Sequence, residues 1–66
     1  MRQPDKDALE QFVDAYGLSD VLSALSDICG DKAEHLRSNW QDRASANVWA
    51  RDARSIDKVA SSVKAS

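Results

Sequence analysis

The sequence predicts an all-α fold, a small three-helix bundle with one short and two long helices. Apolar residues recur three and four positions apart in three separate stretches, which is the period of an amphipathic helix. No stretch alternates apolar with polar residues as a strand would. A chain of 66 residues has room for one modest core. We therefore expect a single helical domain over residues 1–66, with frayed ends at about 1–5 and 64–66.

The first helix is predicted to run from about Lys6 to Tyr16. Asp7, followed three positions later by Glu10, has the spacing of a capping box at a helix start. Gly17 comes directly after the last periodic residue, where a glycine can take the backbone conformation that ends a helix. The apolar face of this helix consists of Leu9, Phe12, Val13 and Tyr16.

The second helix is predicted from about Ser19, as N-cap, to Ser38. Gly30 is the difficulty, because a glycine inside a helix costs roughly 1 kcal/mol relative to alanine. A helix end at Gly30 with a new start at Asp31 is the alternative. The apolar positions nevertheless keep one phase through Gly30, so we predict one continuous helix. These positions are Val21, Leu22, Leu25, Ile28, Cys29, Ala33, Leu36 and Trp40.

The third helix is predicted from roughly Arg43 to Val63. Asn39 and Asp42 precede it as end and start signals, and they imply a short connection. Two long helices joined in this way are expected to lie antiparallel. The apolar residues form a narrow seam, which is typical of a helix packed against others: Trp49, Ala53, Ile56, Ala60 and Val63. For Trp40 the pattern leaves open a place in the core or a role as an exposed anchor.

Several features argue against catalysis. Cys29 and His35 lie six residues apart on one predicted helix, so they point to different sides and cannot form a nucleophile and base pair. Cys29 falls in the apolar stripe, which predicts a buried small side chain. No serine has a nucleophile-elbow context, and the two glycines are too far apart for a phosphate loop. We expect no enzyme activity, no cofactor and no metal site.

The polar start of the chain predicts no signal peptide, and no apolar run is long enough to span a bilayer. One free cysteine also suits a reducing compartment. The sequence therefore predicts a cytoplasmic protein without membrane contact.

The formal net charge of −2 hides an asymmetry. Residues 1–31 hold seven acids and two bases, a formal −5, whereas residues 32–66 hold four acids and seven bases, a formal +3. Arg51, Arg54 and Lys58 form a basic row on the third helix that resembles a phosphate-contacting face. Asp52 and Asp57 interleave with this row and the sequence pI is about 5.1, so we expect no direct binding to nucleic acid.

Carboxylates on the first two helices are the strongest candidate site. On the second helix four of them follow spacings of 7, 4 and 3, so at about 100° per residue they fall within about 60° of arc in a row about 21 Å long. The neighbouring charges lie roughly 5 to 10 Å apart along the axis, comparable with the repeating charge of a nucleic-acid strand. A solvated acidic face without a partner is the alternative. The candidate partner-binding residues are Asp7, Glu10 and Asp14 on the first helix and Asp20, Asp27, Asp31 and Glu34 on the second.

Residues 16–25 (YGLSDVLSAL) and 34–42 (EHLRSNWQD), with Trp49 and residues 56–58 (IDK), resemble small helical proteins of bacterial and phage genomes. In size, helicity and acidic face the chain is similar to very small anti-CRISPR proteins, most nearly to one that acts on type I-C surveillance complexes. The resemblance implies a protein partner, an inhibitor's role, and binding to a Cascade-type complex that keeps target DNA from being recognised. The basic second half departs from a uniformly anionic DNA mimic.

Two other hypotheses follow from the remaining surfaces. A small helical assembly or oligomerisation module would use the seam of the third helix, through residues such as Trp49 and Ile56, to contact a second copy or a host protein. A nucleic-acid accessory protein would use the basic row. On either the inhibitor or the assembly hypothesis we expect a monomer or a weak dimer.

Overall fold

Three helices form the fold, and the computed structural model describes residues 1–64, with Trp40 described by its backbone alone. Helix α1 spans Gln3–Tyr16, α2 spans Leu18–His35 and α3 spans Arg43–Ser62. A short π-helical turn, Leu36–Trp40, follows α2 directly. No strand occurs within residues 1–64. The predicted all-α bundle of one shorter and two longer helices is confirmed.

The start predicted for α1 is wrong, because the helix begins at Gln3 rather than at about Lys6. Pro4 lies in the first turn, where its fixed φ suits a helix and its missing N–H is not needed. Asp7 therefore lies inside the helix and caps nothing. Its Oδ1 instead accepts a 2.8 Å hydrogen bond from Gln3 Nε2, one turn earlier. Gln3–Asp5 are thus helical, although the sequence predicted frayed residues there.

Gly17 alone joins α1 to α2. Its φ of 91° and ψ of 154° lie in a region that glycine adopts readily and other residues do not. Its N–H donates to the carbonyl of Val13 at 2.8 Å, and its own carbonyl accepts from the N–H of Val21 at 3.2 Å. The predicted end of α1 is confirmed. Because Gly17 also flanks the first residue of α2, the N-cap role predicted for Ser19 is wrong.

Helix α2 passes through Gly30 without a break, as the unshifted apolar phase predicted. A Cβ built at Gly30 meets nothing within 4 Å, so there is room for a larger residue at this position. The α-helix ends at His35 rather than at Ser38 and continues as the π-turn, which Gln41 terminates in the left-handed conformation at φ 51°. The N–H of Asp42 donates to the carbonyl of Leu36 at 3.1 Å, the pattern that closes many helix ends.

Asp42 begins α3, as the sequence predicted. Its Oδ1 accepts a 3.1 Å hydrogen bond from the backbone N–H of Ser45, which satisfies a donor of the first turn. The helix ends at Ser62, one residue before the predicted Val63. The predicted frayed tail falls mainly on Ala65 and Ser66, which lie outside the described residues.

Helices α2 and α3 pack antiparallel, which confirms the predicted arrangement of the long pair. Ser19 Oγ donates to the carbonyl of Ala60 at 3.2 Å, and Ser26 Oγ donates to the carbonyl of Ala53 at 2.8 Å. Moving seven residues forward along α2, from Ser19 to Ser26, thus corresponds to moving seven residues back along α3, from Ala60 to Ala53. The same register continued by seven residues pairs Ala33 with Ala46, and these side chains are 3 % and 0 % exposed.

The core between these helices is made of small side chains: Val21, Cys29, Ala33, Ala46 and Ala60. No large side chain is fully buried among the described residues. Small residues let two helix backbones approach closely, which is what allows a serine hydroxyl to reach the other helix's carbonyl. Two residues of the seam predicted for α3, Ala53 and Ala60, therefore face α2 within the molecule. The side chain of Trp40, predicted as core or anchor, is outside the described part of the chain.

Candidate functional site

The acidic row on α2 is built by the packing of α2 on α3. Ser19 and Ser26 face α3, and an acid directly follows each of them, Asp20 and Asp27. Consecutive residues on a helix are turned by about 100°. Both carboxylates therefore point about 100° away from the contact with α3, into solvent. The buried Ala33 is followed in the same way by Glu34. This seven-residue repeat of a small residue and an acid was available in the sequence and predicts the direction of the row.

All four carboxylates of this row are exposed: Asp20, Asp27, Asp31 and Glu34. Within residues 1–64 the first three make no hydrogen bond or ion pair through their side chains. Glu34 accepts a 3.3 Å hydrogen bond from Ser38 Oγ and lies 3.7 Å from Arg37 Nη1, both side chains being well exposed. Such an exposed pair contributes little. Most of the charge of the row is therefore available to a partner.

The row on α1 is also exposed, at Asp7, Glu10 and Asp14. Asp7 is engaged by Gln3, whereas Glu10 and Asp14 have no hydrogen bond or ion pair within the described residues. The structure thus places the seven candidate residues in two rows on two helices. The α2 row holds more of the open carboxylates, and it lies on the helix that is fixed more firmly to the bundle.

Beside the α2 row lies an apolar groove of about 520 Å³ between α1 and α2. Asp20 is its acidic member, and the other lining residues are Leu9, Phe12, Tyr16, Val21, Ala24, Leu25 and Ile28. Phe12 and Tyr16 stack with their ring centroids 6.4 Å apart, yet they remain 56 % and 64 % exposed. Helix α1 buries no residue at all. The periodicity predicted this apolar face, but it gave no sign that the face would stay open.

A second cleft, of about 540 Å³, continues the first because Ile28 lines both. Here Lys32 Nζ lies 5.6 Å from the ring centroid of Trp49, within the range of a cation–π interaction. Asp31, His35 and Leu36 complete the lining. The carboxylates of Asp20 and Asp31 therefore both border apolar surface, which sequence reasoning missed because the lining comes from all three helices.

The basic row on α3 is exposed at Arg51, Arg54 and Lys58, and no hydrogen bond or ion pair engages these side chains within residues 1–64. A separate polar cleft of about 860 Å³ lies at the turn before α3. It is lined by Arg37, Gln41, Arg43 and Asn47.

The other chemically reactive residues occupy separate environments. Cys29 is 8 % exposed in the core, which confirms its predicted burial. His35 is exposed, and its Nδ1 lies 2.8 Å from Asn39 Nδ2. Across residues 1–64 no three or more His, Cys, Asp or Glu side chains are grouped to hold a metal ion. None of the described helices combines the length and apolarity needed to cross a membrane.

Asp42 has a pKa below its ordinary value of 3.8, because the backbone N–H of Ser45, and then its hydroxyl, hydrogen-bond to the carboxylate. This group caps α3 and belongs to neither acidic row.

Comparison with protein-family models, curated proteins and solved structures gives no significant match to this chain.

Proposed function

We propose that this chain is a non-catalytic inhibitor that binds another protein complex through the acidic row of α2. The surface it fits is one built to hold a nucleic-acid backbone. In the form that the resemblance to anti-CRISPR proteins suggests, the target is a Cascade-type surveillance complex, and binding blocks recognition of target DNA. The observation that carries the proposal is the set of open carboxylates on Asp20, Asp27 and Asp31.

The physical basis is charge substitution. Lysine and arginine side chains that bind phosphates can bind carboxylates instead, with the same sign of charge and the same hydrogen-bond geometry. The row extends about 21 Å along a helix that is continuous through Gly30, so its charges keep fixed distances from one another. Charged contacts of this kind chiefly raise the association rate and the specificity, and they weaken as salt rises.

The asymmetry of charge supports a directed contact. The exposed acidic row lies on α2, whereas on α3 the exposed bases Arg51, Arg54 and Lys58 outnumber the interleaved acids Asp52 and Asp57. A basic target would attract the first surface and repel the second. The chain is thus oriented during its approach, which a uniformly charged protein would not be.

An assembly module remains the second candidate, and the exposed aromatic pair Phe12 and Tyr16 is the observation that favours it. Because α2 already covers Ala53 and Ala60, such a module would use the open side of α1 rather than the seam of α3.

The experiment is a pull-down of a purified type I-C surveillance complex by immobilised protein. The test variant is Asp27→Lys with Glu34→Lys, two members of the row that line neither apolar cleft. The matched control is Asp52→Lys with Asp57→Lys, which changes the net charge by the same amount on exposed positions of α3. Capture by wild type and control but not by the test variant supports the proposal. Equal capture by all three, or capture by none, contradicts it.

A further inference from the structure

The basic side chains of α3 form one unbroken stripe on the outside of the helix. We propose that this basic stripe binds the phosphate backbone of a nucleic-acid duplex, without regard to base sequence. Its members are Arg43, Asn47, Arg51, Arg54 and Lys58. The proposal does not depend on the inhibitor function, and either can fail alone.

The stripe follows from the geometry of α3, which is a continuous helix over Arg43–Ser62. Its five members follow spacings of 4, 4, 3 and 4 residues, so at about 100° per residue they fall within about 80° of arc. The buried Ala46 and Ala60 lie roughly 100° and 140° from the centre of this arc. The stripe therefore faces solvent, and it runs for about 22 Å along the helix.

Acidic residues interleave with the stripe in sequence but not in space. Asp52 and Asp57 are one reason why the sequence predicts no direct binding to nucleic acid. On the helix, Asp52 lies about 140° from the centre of the stripe and Asp57 about 80°, so both fall outside its arc. The bases therefore line up with no carboxylate of α3 between them.

The four bases of the stripe are also free of internal partners. Within residues 1–64 the side chains of Arg43, Arg51, Arg54 and Lys58 make no ion pair or hydrogen bond, and all four are exposed. Guanidinium and ammonium groups bind phosphate oxygens through charge-assisted hydrogen bonds. No contact within the described residues has to be broken before these bases bind phosphates.

The polar cleft at the turn before α3 extends the stripe past the start of the helix. Its lining consists of Arg37, Gln41, Arg43 and Asn47, two of which already belong to the stripe. Guanidinium and carboxamide groups all carry N–H donors, so each lining side chain can donate to a phosphate oxygen. The cleft thus adds a fifth base, Arg37, to the four of α3.

Two carboxylates neighbour the lining residues of this cleft without closing it. Glu34 lies 3.7 Å from Arg37, but the two side chains are 72 % and 49 % exposed, so the pair contributes little and a phosphate can replace it. Asp42 holds its carboxylate against the backbone N–H of Ser45 and does not line the cleft. Neither acid therefore blocks a phosphate from the cleft.

Length and composition favour a duplex over a single strand. Each strand of a duplex presents one phosphate per about 3.4 Å of axis, so a stripe of about 22 Å meets about six phosphates. Proteins that hold single strands also stack bases on aromatic side chains. Trp49 is the only aromatic residue of α3, and it lies about 160° from the centre of the stripe. The stripe therefore offers contacts to the backbone alone.

The test is fluorescence anisotropy of a labelled duplex of about 20 base pairs, titrated with the full chain at several salt concentrations. With four or five phosphate contacts, the logarithm of the association constant should fall against that of the salt concentration with a slope of about −4. Arg51→Gln with Arg54→Gln removes two of these contacts. We expect this variant to reduce the slope to about −2 and to bind at least tenfold more weakly at about 50 mM salt.

The matched control is Arg2→Gln with Lys6→Gln, which removes the same charge from exposed positions at the start of α1. We expect the control to keep the slope and to bind within about twofold of wild type. Arg37→Gln tests the cleft by itself and should make the slope shallower by about one. Circular dichroism verifies that each variant stays helical.

Binding that weakens equally in the test and control variants overturns the proposal, because net charge alone would then explain it. No binding by wild type at about 500 µM protein and about 50 mM salt also overturns it. So does tighter binding to a single strand of the same sequence, or capture by anionic lipid vesicles without any binding to the duplex. Asp27→Lys with Glu34→Lys should not weaken duplex binding, so the acidic row and the basic stripe are tested separately.

Discussion

The hydroxyl of Ser26 on α2 donates a 2.8 Å hydrogen bond to the backbone carbonyl of Ala53 on α3. Ser19 makes the corresponding bond to Ala60 seven residues earlier, so the register of the two long helices is fixed at two points. Because an acid directly follows each serine, this register also sets the direction of the acidic row.

Replacing Ser26 by alanine should therefore destabilise the fold. A hydrogen bond of this kind contributes about 1 kcal/mol net, and for a domain of this size that lowers Tm by roughly 4 to 8 °C. Thermal unfolding followed by circular dichroism measures the shift. Ser23→Ala is the control, since Ser23 is exposed and makes no side-chain hydrogen bond within residues 1–64. Indistinguishable unfolding of the two variants would show that the inter-helix bond contributes nothing.

Ala46→Leu should destabilise the fold more strongly. Ala46 is 0 % exposed on the side of α3 that packs against α2, so added methylene groups force the helices apart. Overpacking of this kind costs about 1 to 3 kcal/mol. The comparison is with Ala44→Leu, an exposed position on the same helix, where a change within about 0.5 kcal/mol is expected. Urea titration of both variants gives the two free energies of unfolding, and equal values would contradict the close packing.

Gly30→Ala should stabilise the protein. The position is helical and a Cβ there meets nothing within 4 Å, so alanine gains about 0.5 to 1 kcal/mol in helix propensity at no steric cost. Gly17→Ala should have the opposite effect, because φ is 91° there. The midpoint of urea unfolding should rise in Gly30→Ala and fall in Gly17→Ala, relative to wild type. A loss of stability in Gly30→Ala would mean that α2 needs its glycine.

Asp42 should make the stability of α3 depend on pH. Its pKa is lowered in the folded state by the hydrogen bonds from Ser45, so its contribution is fully present above the unfolded pKa near 3.8 and is lost as pH falls through the folded value. Asp42→Asn keeps an acceptor for the cap but cannot titrate. The difference in unfolding free energy between wild type and this variant should shrink as the pH falls below about 4. A difference that stays constant from pH 7 to pH 2 would contradict this role of the carboxylate.

The sequence predicted the helices well wherever apolar periodicity was the governing signal. It predicted that α2 continues through Gly30, and it identified Gly17 and Asp42 as helix boundaries. It failed where local signals competed. With Pro4 in its first turn, α1 begins ahead of the capping pattern at Asp7. Gly17 already flanks the start of α2, and Ser19 hydrogen-bonds to α3 instead of capping α2.

The candidate site was only partly accessible from the sequence. Periodicity placed the carboxylates of α2 on one exposed face, and all of them are exposed. It could not show that Asp20 and Asp31 border apolar clefts, because residues from three helices line those clefts. Nor could it show that Phe12 stays half exposed, since that depends on how α1 packs in three dimensions.

The most direct test of the proposed function is a competition measurement. A labelled target duplex is titrated onto a purified type I-C surveillance complex, with and without this protein. The proposal predicts that wild type prevents DNA binding, that Asp27→Lys with Glu34→Lys does not, and that inhibition weakens steeply between about 50 and 200 mM salt. If the complex binds DNA equally well in the presence of saturating wild type, the α2 row does not act by occupying a DNA-binding surface of this complex.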